Sequence, residues 1–416
     1  MTRVFDLSIA ADARALERRL ARGSAPDPGV IRDARRIVED VRRRGDAGVS
    51  AWMRRLDGVQ LAPPFDVPAR DINAGWRACA PEVRRAIRRA IRNIEHVATR
   101  QRPRGFVTQP EPGVRIDQRI EPLGRVGCYV PGGRYPLPST LLMTVVPARV
   151  AGVRDITVVC PRPAAEVLCA AREAGATRVL CIGGAQAIAA LAYGTVSVAR
   201  VDKIAGPGNA WVAAAKSLVS GECAIDMHAG PSEIVVCSDT GVPAWIAADL
   251  IAQAEHDPRA RALLVTTRRS LAWAVANELR RQLPADGPAR EALSSVGGIV
   301  IASSRRQATA IVNRIAPEHL VCDTRADARA FTTAGTIFVG RWSAQASGDY
   351  ITGSNHVLPT AGAGRFRGGL SAADFVRAFT IQTITRAGLR RAGPSAIALA
   401  GAEGLTAHAE SIRIRL

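Results

Sequence analysis

From residue 125 onward, short β-branched runs alternate with apolar stretches of helical length, and this rhythm restricts the fold more than any other feature of the chain. The runs RVGCYV, DITVVC, RVLCIGG, VDKIAG, EIVVCSD, ALLVTT, GGIVIAS and TIFVG are separated by stretches such as 138–150, 185–193 and 243–256. Strands followed by helices of that length imply parallel sheets with helices on both faces. Two blocks of similar rhythm, 125–232 and 233–340, read as two Rossmann-like units. Before them lies an arginine-rich segment in which Val83, Ile87, Ile91, Ile94 and Val97 recur at helical spacing. The expected architecture is α/β, with two Rossmann-like parallel-sheet domains, a helical N-terminal region and a helical C-terminal tail. The expected borders are 1–105 for a helical region packing on the second α/β domain, 106–232 and 233–370 for the two domains, and 371–416 for the tail.

Composition narrows the class further. With 416 residues, 47% hydrophobic and 22% charged, the chain fits neither a disordered nor a collagen-like polymer and is long enough for several domains. Its net charge of +19 raises the question of a nucleic-acid partner, but only Lys203 and Lys216 are lysines, and the arginines run along the whole sequence instead of forming a patch. An aromatic share of 4% gives little for base stacking. We read the charge as compositional bias. The opening MTRVFDLSIAADARALERRL intersperses acids and arginines where a signal peptide needs an apolar core. A cytoplasmic location is expected. Of eight cysteines the nearest pair is Cys160 and Cys169, so reduced core thiols are expected, with neither a disulfide framework nor a CxxC site.

Parallel sheets bind ligands beyond the carboxyl ends of their strands, which directs attention to three glycine-bearing loops. GCYVPGGRYPLPST pairs glycines with three prolines; CIGGAQAIAALAYGT sets Gly183 and Gly184 before a helix, where N–H groups can meet an anion; DKIAGPGNAWVAAAK opens a helix at Asn209 and is flanked by both lysines. Keeping lysine twice beside one turn, in a chain that otherwise uses arginine, points to a local requirement. A tight turn is the plainer reading of each loop, and no GxGxxG fingerprint occurs.

Four of the six histidines lie in the polar contexts QAEH, PEHL, GDYITGSNH and EGLTAH. Gln253 and His256, three apart near a helix end, present an amide oxygen and an imidazole on one face. With Asp349 and His408 they would make a shell suited to Zn²⁺ or a similar divalent ion; the alternative is that each caps a helix or fills a polar gap. Glu318 and His319 follow Pro317. In a regular strand they would face opposite ways, so they share a site only if the chain turns. A histidine can then act as general base, with glutamate orienting water or steadying the imidazolium; otherwise the pair marks a surface turn. His96 reads as structural.

The ordered series GCYVPGGRYPLPST, GGAQAIAALAYGT, DKIAGPGNAWVAAAK, IDMHAGPSE, QAEH, APEHL, GDYITGSNHVLPT and EGLTAH resembles the histidinol dehydrogenase family from about residue 120 to the end. The resemblance implies a two-step, NAD-dependent oxidation of L-histidinol to L-histidine, with one Zn²⁺ per subunit positioning the substrate. It implies Gln253, His256, Asp349 and His408 as metal ligands, His319 as base and Glu318 as the residue that activates water on the aldehyde. Ser232, His356 and Glu403 match substrate contacts, and Tyr129, Gln186 and Asn209 match NAD contacts, which puts NAD beside the first domain. A homodimer is implied, with the tail reaching into the other subunit so that Glu403 and His408 act in trans. Two departures stand out: His228 where proline is more usual, and Ala344-Gln345 where Pro-Glu is often found. They raise the alternative of a paralogue, also zinc- and NAD-dependent, that oxidises another polar alcohol such as a sulfonated diol.

Overall fold

A computed structural model describes residues 2–21, 27–132, 135–228 and 230–416. Gly133 and Arg134 of the first glycine loop, and Ala229 of IDMHAGPSE, lie outside the described residues. Strands β1 (Val4–Asp6), β2 (Phe106–Glu111), β3 (Val114–Pro122), β4 (Arg125–Tyr129), β5 (Asp155–Val159), β6 (Arg178–Leu180), β7 (Lys203–Ala205) and β8 (Ala224–Ile225) occupy the first half of the chain. The second half carries β9 (Glu233–Cys237), β10 (Arg261–Thr266), β11 (Gly298–Ile301), β12 (His319–Cys322), β13 (Thr336–Val339) and β14 (Val376–Ile384). They form a five-stranded sheet, β6-β5-β4-β7-β8, and a six-stranded sheet, β1-β11-β10-β9-β12-β13, both parallel throughout, as the alternating rhythm requires.

Burial on both faces explains why these strands are unbroken apolar runs. In β9, Ile234 and Val236 join one core with Leu264 of β10, while Val235 and Cys237 join the opposite core with Leu263 and Val265. All eight cysteines are free, seven of them buried and Cys181 half-buried, as expected for core thiols.

Three expectations need correction. Residues 1–105 do not pack on the second domain: only β1 and the helix Ala10–Leu20 join the six-stranded sheet, with β1 as a parallel edge strand beside β11. The helices Pro28–Arg44, Ala69–Ala78 and Pro81–Gln101 instead cover helices of the five-stranded sheet. The cause lies in the first domain's own helices. In Gly184–Tyr193 every residue from Ala185 to Ala192 is buried, so the helix is apolar all round and needs cover on its outer side. Ile37, Val38 and Val41 supply that cover against Ile188 and Val212, and Ile87, Ile91 and Ile94 do the same over Leu142 and Val145.

The second correction concerns 106–122 and the third the tail. Residues 106–122 do not belong to the Rossmann-like unit; β2 and β3 form a separate antiparallel sheet with β14. The tail is therefore not helical throughout, because its nine residues Val376–Ile384 pair along β3 before the helices Arg386–Ala402 and Thr406–Arg413 begin. No helix among the described residues is long and apolar enough to cross a membrane.

The chain returns from the second sheet to the first before this ribbon. Asn355 Nδ2 donates to Met143 O at 2.7 Å, and Val357, Leu370 and fully buried Phe375 enter the core around Leu141 and Val146. Phe375→Ala should cost about 3–5 kcal/mol, the range for emptying an aromatic site, read as a lowered midpoint in chemical denaturation.

Candidate active site

The polar side chains of interest fall in two groups, one at the carboxyl ends of first-sheet strands and one at the amino ends of second-sheet strands. Glu318 and His319 stand at the amino end of β12, and Ser232 and Glu233 at the amino end of β9. The glycine-bearing loops follow strands of the first sheet, whereas in the second sheet Ser232, Glu233, Glu318 and His319 stand at the starts of theirs, contrary to the expectation that site residues follow their strands. At the second sheet's carboxyl end Asp239 and Asp323 are already taken: they accept from the hydroxyls of Ser238, Thr266 and Thr267 and from the N–H groups of Asp239, Thr240 and Thr267.

Adjacent Glu318 and His319 come together because the chain bends at Glu318 before β12 begins at His319. The helix Arg305–Ile315 ends on Ala316 at φ +51°, a left-handed conformation unusual for alanine, and Pro317 follows. Glu318 Oε2 then lies 3.7 Å from His319 Nδ1. Both side chains are buried and both hold the main chain of Glu233. Its N–H donates to Glu318 Oε2 at 2.8 Å, and its carbonyl lies 3.2 Å from His319 Nδ1. A carbonyl can only accept, so this contact puts a proton on Nδ1 and leaves Nε2 of the neutral ring with its lone pair free. Nε2 faces Asp349 Oδ1 at 3.7 Å, and the ring stacks on Phe338 with centroids 6.2 Å apart.

Charge in this cluster is finely divided. Burial pushes the Glu318 carboxyl up to about 7. Burial alone would lower His319, but the carboxylates of Glu318 and Asp349 outweigh it and raise the imidazole above its ordinary value. Burial likewise works against the Asp349 carboxylate, yet His319, His356 and the Gln345 amide hold it below the usual range. His356 is lowered, first by burial, and its Nδ1 donates to the Asp349 carbonyl at 3.0 Å.

Gln253 and His256 part company. Gln253 is buried near the end of the helix Pro243–Ala254, and its Oε1 is sealed from solvent with no hydrogen-bond partner among the described residues. His256 lies two residues past that helix and is exposed, yet near enough to His356 to depress it. Ser232 is half-buried, its carbonyl accepting from Arg261 N. Glu403 and His408 are exposed at the end of the chain, and no hydrogen bond or ion pair of their side chains joins them to this cluster among the described residues. Three or more His, Cys, Asp or Glu side chains do not gather closely enough to hold a metal within the described residues of one chain.

Three further polar residues lie at the carboxyl end of the first sheet. Tyr129 ends β4; its hydroxyl accepts from Gly184 N at 3.1 Å, and burial pushes its phenol up to about 12, so the O–H remains free to donate. Gln186 is fully buried, with Nε2 on Asp57 Oδ2 at 3.3 Å and Oε1 without a partner among the described residues. Asn209 is exposed and caps the helix Ala210–Val219, its Oδ1 accepting from Val212 N at 3.0 Å. Between them Gly206 runs at φ +117°, and a Cβ there would stand 2.1 Å from the Tyr129 carbonyl oxygen.

The family model for histidinol dehydrogenase matches residues 20–416. The chain belongs to the histidinol dehydrogenase family. It is an oxidoreductase. It is 43% identical over 410 residues to histidinol dehydrogenase of Geobacter sulfurreducens, covering 95% of this chain and 96% of that one. The Rhizobium meliloti enzyme of the same name is 45% identical over 394 residues, covering 92% and 91%. The crystal structure of histidinol dehydrogenase from Elizabethkingia anophelis superposes with a TM-score of 0.92 at 30% identity, covering 100% of this chain and 98% of the other.

Both departures from the family's commoner residues now have a place. Gln345, buried, donates from Nε2 to Asp349 Oδ2 at 2.9 Å, a contact the sequence did not announce because glutamine four residues ahead of an acid is ordinary on any helix. His228 is exposed and its Nδ1 meets Ser217 Oγ, on the helix Ala210–Val219, at 2.7 Å. Gly206→Ala should lower the thermal unfolding midpoint by several degrees, whereas Gly221→Ala, where an added Cβ meets nothing within 4 Å, should leave it nearly unchanged.

Proposed function

We propose that this chain oxidises L-histidinol through L-histidinal to L-histidine, reducing two NAD per turnover, with Zn²⁺ as resident metal and a homodimer as the working unit. The observation that carries the reading is the convergence of Glu318 and His319 on the main chain of Glu233, which sets a base and a second carboxyl side by side in a buried site. The relatives named for this reaction, matched over nearly the full chain, support the choice of substrate.

His319 Nε2 takes the hydroxyl proton in the first oxidation. Its tautomer is fixed by the Glu233 carbonyl, so no reorientation is needed when the proton moves. Glu318 takes a proton from the water that adds to the aldehyde, held in place for this by the Glu233 N–H. Ser232, His356 and Glu403 would fix the polar groups of histidinol, the carboxylate meeting its ammonium. NAD, resting on Tyr129, Gln186 and Asn209, would accept the hydride at each oxidation. The orphaned Oε1 of Gln186 and the turn at Gly206, which has no room for a side chain, fit a ligand there.

Gln253, His256, Asp349 and His408 would hold Zn²⁺. The fit rests on the sealed, unpartnered Oε1 of Gln253 and on a donor set of amide oxygen, carboxylate and imidazole, which suits a borderline divalent ion. Zinc at that place would fix the substrate and polarise the groups it binds. His408 and Glu403 belong to an exposed tail whose Leu399, Leu405 and Ile414 also face solvent, an apolar surface that supports docking of the tail on a second subunit's site.

Purified protein should form two NADH per L-histidinol consumed, lose the activity to a chelator and regain it with Zn²⁺. No turnover by zinc-loaded protein would refute the reading. His319→Gln should slow the alcohol step by about 100-fold or more with zinc content unchanged. Glu318→Gln should harm aldehyde oxidation more than alcohol oxidation, measured by supplying L-histidinal directly; equal loss in both steps would remove Glu318 from water activation. His408→Asn should lower the zinc retained after dialysis, read by metal analysis.

A further inference from the structure

Beneath the turn assigned above to NAD lies a buried ion pair that the mechanism does not use. Lys216, on the inner face of the helix Ala210–Val219, pairs with Asp226, their side chains 2% and 0% exposed. Its Nζ also donates to the Gly206 carbonyl at 2.8 Å. Asp226 accepts from Gly206 N at 2.7 Å on Oδ2 and from Met227 N at 2.6 Å on Oδ1. One ion pair thus grips both the N–H and the C=O of the glycine that is pressed against Tyr129. Three residues later the same turn ends at Asn209, the cap of the helix that carries Lys216.

Stability alone does not call for this arrangement. Two buried ions give up strong hydration, and apolar side chains of similar volume often serve a fold as well or better. Apolar side chains would not fix the N–H and C=O of Gly206. The site also explains a lysine in an arginine-rich chain: an ammonium is a compact charge with three donors that suits the Gly206 carbonyl and the Asp226 carboxylate, whereas a guanidinium brings five donors in a planar fork. The other lysine has a separate task, its Nζ donating to Asp374 O at 2.7 Å to tie β7 to the start of the C-terminal ribbon.

We infer that Lys216 and Asp226 are positioning residues for the dinucleotide: they set the Gly206–Asn209 turn in its ligand-accepting shape. The inference rests on the proposed NAD site, and the test separates the two.

NADH binding is followed by fluorescence, alongside thermal unfolding and the KM for L-histidinol, in wild type, Asn209→Ala and Lys216→Met/Asp226→Leu. The double variant leaves no lone buried charge, so its unfolding midpoint should stay near that of wild type. Its NADH dissociation constant should rise about tenfold, a loss of about 1.4 kcal/mol, with the histidinol KM little changed. Asn209→Ala should also weaken NADH. Weakened binding by Asn209→Ala with wild-type binding by the double variant would overturn the positioning role. Wild-type binding by both would overturn the NAD site itself. Should the double variant not fold, Lys216→Gln takes its place, and NADH affinity equal to wild type in that variant would likewise overturn the inference.

Discussion

Seven residues, 226–232, separate the last strand of one parallel sheet from the first strand of the other, and the geometry of the active site follows from that short connection. So few residues span about 25 Å at most. They leave β8 at its carboxyl end and enter β9 at its amino end, so the carboxyl edge of the first sheet must lie beside the amino edge of the second. Asp226 opens the connector and holds Gly206 on one side; Glu233 closes it and holds Glu318 and His319 on the other. The Glu318–His319 pair and the glycine turn are thus held from either side of the same short strip of chain.

Much of the fold is legible in the sequence because burial on both faces of a parallel sheet leaves a strong local mark. EIVVC and ALLVT cannot be mistaken for surface strands, and the helices between them are the right length for crossovers. The β2–β3–β14 ribbon left no such mark. β2 is exposed at every residue, the alternation of β3 in VRIDQRIEP breaks at Gln118 and buries no residue fully, and its second partner β14 lies roughly 260 residues further along the chain. The docking of the N-terminal helices was equally hidden. An amphipathic stripe such as Ile87, Ile91 and Ile94 declares that it will be covered and is silent about which surface covers it.

At the site, what could be read was residue type and what could not was direction. Adjacent Glu318 and His319 announced a base and a carboxyl, but their convergence comes from a bend at Glu318 just before the strand begins, which the residue types alone do not announce. The spacing of Gln253 and His256 suggested a common face, yet the helix stops at Ala254 and sends one inward and the other to solvent. The two lysines could be recognised as unusual from composition alone; their acidic partners, Asp226 and Asp374, could not, since neither stands at helical or strand spacing from them.

The inverted meeting of the sheets also sorts charge. Helices of the first sheet, such as Gly184–Tyr193 and Ala210–Val219, begin at the shared cleft, while Pro243–Ala254 and Arg305–Ile315 of the second sheet end there. Each helix start carries about half a positive elementary charge and each helix end about half a negative one. One wall therefore favours anions and the facing wall cations before any side chain is counted. Helix ends set this way draw an anionic group toward the first sheet and a cation toward the second, before any side chain acts.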